Sequence, residues 1–134
     1  METSERSKIG KASKKKGQRG EYELRDWIMK IAGGVWARTP MSGGFHQSFP
    51  FDVYKKSKDE TVFDDVGNEN KNTSRLAVGD WIEQTELANL DYFGWNNPKW
   101  FIRFKHNHKI YFIISEKYFE FLVGEQKKLR QKDV

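Results

Sequence analysis

Two adjacent runs of aromatic and β-branched residues constrain the fold of this chain most strongly. Residues 100–105 (WFIRFK) and 110–115 (IYFIIS) flank the four-residue segment 106–109. Such runs, separated by a short polar connection, predict two antiparallel strands joined as a β-hairpin. Because both runs are rich in large apolar side chains, we expect the hairpin to lie in the hydrophobic core.

A helical pattern stands nearer the start of the chain. Apolar residues recur there at the i, i+3, i+4, i+7 spacing of a helix that buries one stripe, at Leu24, Trp27, Ile28 and Ile31. The helix is predicted over residues 20–32, because Gly33 and Gly34 follow it and glycine pairs commonly end helices.

The remaining signals complete an alternating order of elements. Strands are predicted over residues 35–39, 51–54 and 61–71. Asp80 followed by Glu83 resembles a capping box, which predicts a helix over residues 81–90.

Ser115 is placed to cap a last helix. The apolar face of that helix is predicted to consist of Tyr118, Phe119, Leu122 and Leu129. The order helix, three strands, helix, two strands, helix predicts an α/β fold in which helices cover a mixed sheet.

Composition excludes several classes of protein. The chain has no cysteine, which excludes disulfide frameworks, cysteine-ligated zinc, iron–sulfur clusters and thiol nucleophiles. Its 134 residues suffice for one domain and are too few for two. Because there is no apolar run of about 18 residues and no signal-peptide pattern, we expect a cytoplasmic protein without a membrane partner.

The positive charge is concentrated at the start of the chain. Residues 1–20 contain seven lysines or arginines and two glutamates, and their net charge of +5 equals that of the whole chain. We therefore predict a flexible basic arm over residues 1–19 and a single domain over residues 20–134. Such an arm either improves solubility or contacts nucleic-acid phosphates, and composition alone favours neither role.

Three acidic positions stand where the pattern predicts partial burial. Glu21 lies on the flank of the apolar stripe of the first helix, and Asp52 interrupts the apolar run 49–54. Glu69 and Lys71 are two residues apart, so both project from the same face of a strand. Each of these positions alone could be an ordinary surface charge. Together they are hard oxygen ligands plus an ammonium group, which suits binding of Mg²⁺ against a phosphodiester.

The same residues carry a resemblance to a known family. Residues 16–24 (KGQRGEYEL) resemble the opening signature of archaeal-type Holliday junction resolvases, with Glu21 at the metal-site position. Residues 35–44 are similar to the strand, arginine and Ser/Gly-rich loop of that family. Residues 51–53 and 69–71 resemble the two halves of the PD-(D/E)XK nuclease motif, with phenylalanine in place of the proline.

The resemblance implies a restriction-endonuclease-like fold, with a central mixed five-stranded sheet flanked by helices. It implies that Asp52 and Glu69 bind Mg²⁺, or Mn²⁺ in its place, with help from Glu21 and the backbone carbonyl of Asn70. It further implies that Lys71 orients the attacking hydroxide. No small-molecule cofactor is expected.

The resemblance also implies a DNA partner, in the form of a four-way junction, and a homodimer with two active sites. The residues that it places against DNA are Lys14, Lys15, Lys16, Arg19, Arg38, Ser42 and Gln84. Trp36, Phe45 and Trp95 are the aromatic residues outside the core pattern, and they are free to stack on bases.

Several alternatives remain open at this point. Asp64 or Asp65 could replace Glu69 as a metal ligand, although neither has a lysine two residues later. The three histidines at 46, 106 and 108 are expected on the surface. The same active site would also suit a sequence-specific restriction-like or homing endonuclease. A non-catalytic module that binds nucleic acid through its basic residues is the alternative from a different class.

Overall fold

A computed structural model gives the fold of residues 2–40 and 49–132, with side chains described from residue 11 onwards, except at Ser13. Within these ranges the elements follow the predicted order of helix, three strands, helix, two strands, helix. They are α1 (Glu2–Ala32), β1 (Trp36–Arg38), β2 (Val53–Lys55), β3 (Gly67–Lys71), α2 (Val78–Phe93), β4 (Trp100–His106), β5 (Lys109–Ile114) and α3 (Glu116–Lys132). The fold is α/β, as predicted.

Helix α1 is much longer than its apolar pattern predicts. It begins at Glu2 rather than at Gly20, so the segment predicted as a flexible arm is helical. Lysine, arginine and glutamate have good helix propensity, and a helix anchored by packing at one end extends at little cost per residue. The predicted end is confirmed, since Gly33 adopts a positive φ of 78° and its N–H donates to the Met29 carbonyl.

The strands form two small sheets and not the single five-stranded sheet that was predicted. β1 pairs antiparallel with β2, while β3 pairs parallel with β4, which pairs antiparallel with β5. The prediction of a strand over 61–71 was wrong in its first half, because residues 62–65 form turns. Asp64 stabilises these turns by accepting hydrogen bonds from the backbone N–H and the hydroxyl of Thr61.

The side chain of Asn68 joins the two sheets where a backbone ladder would otherwise run. Its Oδ1 accepts the Val53 N–H at 2.9 Å, and its Nδ2 donates to the Val53 carbonyl at 2.9 Å. The carboxamide thus occupies the position of a strand residue and satisfies both backbone groups of Val53. A single backbone hydrogen bond, from the Asp52 N–H to the Asn68 carbonyl at 3.4 Å, also joins the two sheets. We call this junction of Asn68 with residues 52 and 53 the seam.

The β4–β5 hairpin confirms the strongest sequence pattern. Both strands extend one residue further than predicted, so the connection is a two-residue turn of Asn107 and His108 instead of four residues. Both turn residues have positive φ angles, of 49° and 64°. Such a turn matches the twist of the paired strands.

Two apolar clusters lie on opposite sides of β4. One contains Leu24 and Ile28 of α1 with Val53 and Phe101, and the other contains Trp81 of α2 with its neighbours on β4. The predicted stripe of α1 is therefore correct at its centre, whereas Ile31 at its end is 52% exposed.

Helices α2 and α3 each differ from the sequence-based prediction, α2 at its start and α3 in its apolar face. α2 begins at Val78, three residues earlier than predicted, and no side-chain hydrogen bond caps it, so Asp80 does not form a capping box. Ser115 does cap α3, because its Oγ accepts the Tyr118 N–H at 3.0 Å. Of the predicted apolar face of α3, only Tyr118 is buried, and the exposed remainder consists of Phe119, Leu122 and Leu129.

None of the helices within the described ranges is long and apolar enough to cross a membrane.

Alkaline pH should reveal the burial of Tyr118. Burial, assisted by the negative charge of Asp65, raises the pKa of its phenol to about 12. An unfolded tyrosine loses its proton near pH 10, so the unfolded state gains stability from pH 10 to 12 while the folded state does not. We expect this linkage to remove about 1–3 kcal/mol of the free energy of unfolding in that window.

Urea denaturation at pH 8 to 12 measures this effect against Tyr118→Phe, which keeps the ring but lacks the hydroxyl. The wild type should lose more stability than Tyr118→Phe above pH 10, and Tyr111→Phe, at an exposed tyrosine, should follow the wild type. Parallel curves for wild type and Tyr118→Phe would contradict the prediction.

Candidate functional site

Asp52 and Glu69 meet at the seam between the two sheets. Asp52 precedes β2, and its Oδ2 accepts the Asn70 N–H from the free edge of β3 at 2.7 Å. Glu69 lies beside this edge, and its carboxyl group is within hydrogen-bonding reach of Asp52. The seam therefore brings together two carboxyl groups that are 17 residues apart in the chain.

Lys71 shares one face of β3 with Glu69, as their spacing predicts. Its Nζ lies 3.2 Å from Glu69 Oε1. The two side chains are only 23% and 21% exposed, so the ion pair is partly shielded from solvent. Because Lys71 faces the Glu69 side of the site, Asp52 has no cation of its own at this distance among the described residues.

The electrostatics of the site reflect a deficit of positive charge. Burial raises the pKa of the Asp52 carboxyl well above its usual range, and the charges of Glu69 and Glu21 raise it further. The Asn70 N–H and Lys71 oppose this shift. Burial also raises the pKa of Glu69, against the effect of Lys71. Two carboxyl groups with a single ammonium between them would be stabilised by another cation.

Glu21 lies next to this pair on α1, where Arg38 of β1 holds it. Arg38 Nη1 and Glu21 Oε2 are 3.2 Å apart, and both side chains are mostly buried. Burial raises the pKa of Glu21, and Arg38 opposes that rise. The two residues were predicted separately, as a metal ligand and a DNA contact, and the structure pairs them. Arg38 also lies over the ring of Tyr22, 5.5 Å from its centroid.

Close packing between α1 and β3 fixes the position of Glu21. Gly20 permits this packing, and the sequence analysis did not identify it. A Cβ on Gly20 would overlap Asn70 Nδ2 and lie 3.0 Å from Asn72 Cβ. Asn72 Nδ2 also donates to the Lys16 carbonyl at 2.9 Å. The available signal was the position of Gly20 four residues before the buried Leu24, on the same face of the helix.

Arg103 is a second residue that the sequence analysis missed. It lies on β4 directly opposite Asn70, and its Nη1 donates to Asn70 Oδ1 at 3.1 Å. The same Nη1 is 3.5 Å from Glu23 Oε2 on α1. Arg103 is 9% exposed, so an arginine within a strand of otherwise apolar residues was the signal for its role.

The two alternative acidic ligands lie elsewhere. Asp64 pairs with Lys55 and Asp65 pairs with Lys99, at 2.8 and 2.9 Å. Glu69 is thus the acid that β3 brings next to Asp52. Among the side chains that the structure describes, no three aspartate, glutamate or histidine groups are close enough to hold a metal ion. Asp52 and Glu69 form a pair of carboxyl groups, with Glu21 engaged by Arg38.

The other predicted residues are distributed more widely. Lys16 and Arg19 lie on α1 near the residues that follow β3. Lys14 and Lys15 are exposed on the same helix, and Gln84 is exposed on α2. Ser42, His46 and Phe45 lie outside the described residues.

The aromatic residues that were predicted to be free for stacking differ from one another. Trp36 is buried, and its Nε1 donates to the Gly33 carbonyl at 3.1 Å, so the prediction for this residue was wrong. Trp95 is 55% exposed. His106 and His108 are exposed, as predicted.

No family model matches the chain, and no solved structure matches it. A stretch of 36 residues, 27% of this chain, is 50% identical to part of Protein D14 of Escherichia phage T5. The match spans 22% of the length of that relative.

Substitution of Gly20 should test how α1 is held against β3. Gly20→Ala forces its methyl group into Asn70, so we expect a loss of about 1–3 kcal/mol in the free energy of unfolding. Gly17→Ala is the matched control, because nothing lies within 4 Å of its added methyl group. That control should stabilise the helix by about 0.5–1 kcal/mol.

Urea denaturation measures both changes, and amide chemical shifts of Asn70 and Asn72 report on the site. The shifts should move in Gly20→Ala and stay in place in Gly17→Ala. Equal stabilities of the two variants would show that α1 does not depend on this close approach.

Proposed function

We propose that this protein is a Mg²⁺-dependent, structure-selective DNA endonuclease of the PD-(D/E)XK type that cleaves four-way junctions, as a Holliday junction resolvase does. The proposal depends on one observation. Asp52, Glu69 and Lys71 lie in one partly buried cluster at the edge of β3. This set of groups suits phosphodiester hydrolysis assisted by a divalent cation.

The donor groups of the cluster fit Mg²⁺ or Mn²⁺. Asp52 and Glu69 supply carboxylate oxygens, and burial raises the pKa of both, so a bound cation would stabilise their ionised forms. The N–H and C=O of one strand residue point to the same edge, so the Asn70 carbonyl lies on the edge of β3 from which its N–H binds Asp52. Hard oxygen donors of this kind are those that Mg²⁺ prefers. When bound, the cation polarises the scissile phosphate and lowers the pKa of the attacking water.

The neighbouring side chains have separate tasks in this proposal. Lys71 orients the attacking hydroxide and offsets the negative charge that develops on the phosphate. Glu21 adds acidic character beside Asp52, and Arg38 holds its carboxylate in position. Ser42 and the basic residues of α1 contact the DNA backbone, which provides affinity without sequence preference.

The order of elements supports the restriction-endonuclease-like fold within this proposal. The Asn68 side chain joins β3 of the three-stranded sheet to Val53 of β2 in the two-stranded sheet, which is compatible with such a fold. Resolution of a junction requires cuts on two opposed strands. The proposal therefore includes a homodimer with one active site in each subunit.

Cleavage of a synthetic four-way junction tests the proposal directly. A labelled junction and a linear duplex of the same sequence are incubated with Mg²⁺ or EDTA. We expect paired nicks near the branch point, only with Mg²⁺. Lys71→Ala should lower the cleavage rate about 100-fold or more, since it removes a charged group from the reacting phosphate.

Lys99→Ala is the matched control for this variant. Lys99 is also 23% exposed and also pairs with an acid, Asp65, yet it lies outside the cluster. Its loss should leave the cleavage rate unchanged. Cleavage of the duplex at discrete positions would instead indicate a sequence-specific nuclease, and binding without cleavage would leave a nucleic-acid-binding module.

Thermal unfolding with and without Mg²⁺ tests the role of Asp52 independently of catalysis. A ligand that binds only the folded state raises its stability, so Mg²⁺ should raise the Tm of the wild type. Asp52→Asn removes a carboxylate and should abolish that increase. It should also abolish junction cleavage and leave junction binding intact.

Asp65→Asn removes a carboxylate that pairs with Lys99, so it should retain both the Mg²⁺ effect and cleavage. A Mg²⁺ effect that survives in Asp52→Asn and disappears in Asp65→Asn would assign the metal to the other acid.

A further inference from the structure

A cleft opens beyond the end of β3, between α1 and the β4–β5 hairpin. It has a volume of about 460 Å³. The residues that line it from three elements include Lys16 and Arg19 of α1, Thr73 and Ser74 after β3, and Lys105 and His106 of the hairpin. We call this space the hairpin cleft.

The charges of the hairpin cleft favour an anion. Glu23 is the one acidic residue among the described side chains that line it, and it lies 3.9 Å from Lys105 Nζ and 3.5 Å from Arg103 Nη1, so two cations already face that carboxylate. Lys16 and Arg19 have no carboxylate partner among the described side chains. The cleft therefore keeps an excess of positive charge, together with the Ser74 hydroxyl and imidazole groups that can donate hydrogen bonds.

The walls of the hairpin cleft are held in place by hydrogen bonds and by turn geometry. Asn72 ties the segment after β3 to the Lys16 carbonyl at 2.9 Å, and Thr73 Oγ1 donates to the Arg75 carbonyl at 2.8 Å. On the opposite wall, Asn107 and His108 form the tight turn of the hairpin. A site whose walls are held in this way loses little entropy when a ligand binds.

The hairpin cleft follows the cluster of Asp52, Glu69 and Lys71, which we call the carboxyl cluster, closely along the chain. Lys71 ends β3, and Thr73 and Ser74 follow two and three residues later. Even a fully extended chain places Ser74 at most about 10 Å beyond Lys71. That reach corresponds to roughly three nucleotides at the 3.4 Å rise of a DNA strand. Arg103 connects the two regions, since it contacts both Asn70 and Glu23.

We propose that the hairpin cleft binds backbone phosphates of the DNA strand, a few nucleotides from the scissile phosphate. This inference rests on the function proposed above and deepens it. Lysine and arginine supply the charge, and the hydroxyl of Ser74 supplies a neutral donor, which is a common composition of phosphate contacts. Contacts to backbone phosphates add affinity and register without sequence preference.

The test is the salt dependence of junction binding in Arg19→Gln/Lys105→Gln, measured with EDTA so that no cleavage occurs. Removal of one cation that neutralises a phosphate should lower the slope of log Kd against log salt by about 0.9. The slope of the double variant should therefore be smaller by about 1.8, and this variant should bind more weakly at every salt concentration. Arg19→Lys/Lys105→Arg keeps the charges and should restore the slope, which separates a charge effect from misfolding.

Lys128→Gln/Arg130→Gln is the matched control. It also removes one lysine and one arginine, and Lys128 also pairs with a glutamate, but both residues lie on α3 away from the cleft. Its slope should equal that of the wild type. Equal slopes for the cleft variant and this control would overturn the proposal.

The same titrations separate this proposal from the proposed function. If the wild type binds junctions without cutting them and the cleft variant still has the smaller slope, the catalytic proposal fails and the cleft stands as a DNA-binding site. If the wild type cuts junctions and the cleft variant binds as the wild type does, the cleft proposal alone fails. Absence of junction binding by the wild type would overturn both.

Discussion

The pairing of the Asn68 carboxamide with the backbone of Val53 is the interaction on which the rest of this structure depends. It satisfies two buried backbone groups with one side chain, at a position where neither sheet offers a ladder partner. It also sets the register between the residues before β2 and the edge of β3. Because of that register, Asp52 accepts the Asn70 N–H and faces Glu69.

The burial that suits the carboxyl cluster to the proposed chemistry also lowers the stability of the folded protein. Burial raises the pKa of both Asp52 and Glu69, and the charge of Glu69 raises that of Asp52 further, so the folded state gains little from ionising them. Lys71 compensates in part, and Arg38 compensates Glu21. Close contacts elsewhere, such as that of Gly20 with Asn70, hold the groups together against this repulsion. Perturbed acids of this kind are typical of functional sites.

Basic residues extend this arrangement beyond the cluster. α1 continues as one helix from the carboxylate of Glu21 to the cations of the hairpin cleft, which places acidic and basic groups along a single rigid element. Arg103 and Glu23 join the helix to β4 between the two regions. Since these contacts lie in packed strands and helices, their spacing is set by the fold and not by loop conformation.

Local patterns in the sequence determined the order of the elements, the hairpin, the buried centre of α1 and the pairing of Glu69 with Lys71, because each depends on residues close together in the chain. The tertiary structure alone decided the division into two sheets and the union of Glu21 with Arg38. These depend on contacts across many residues, where one carboxamide or one missing Cβ outweighs local propensity.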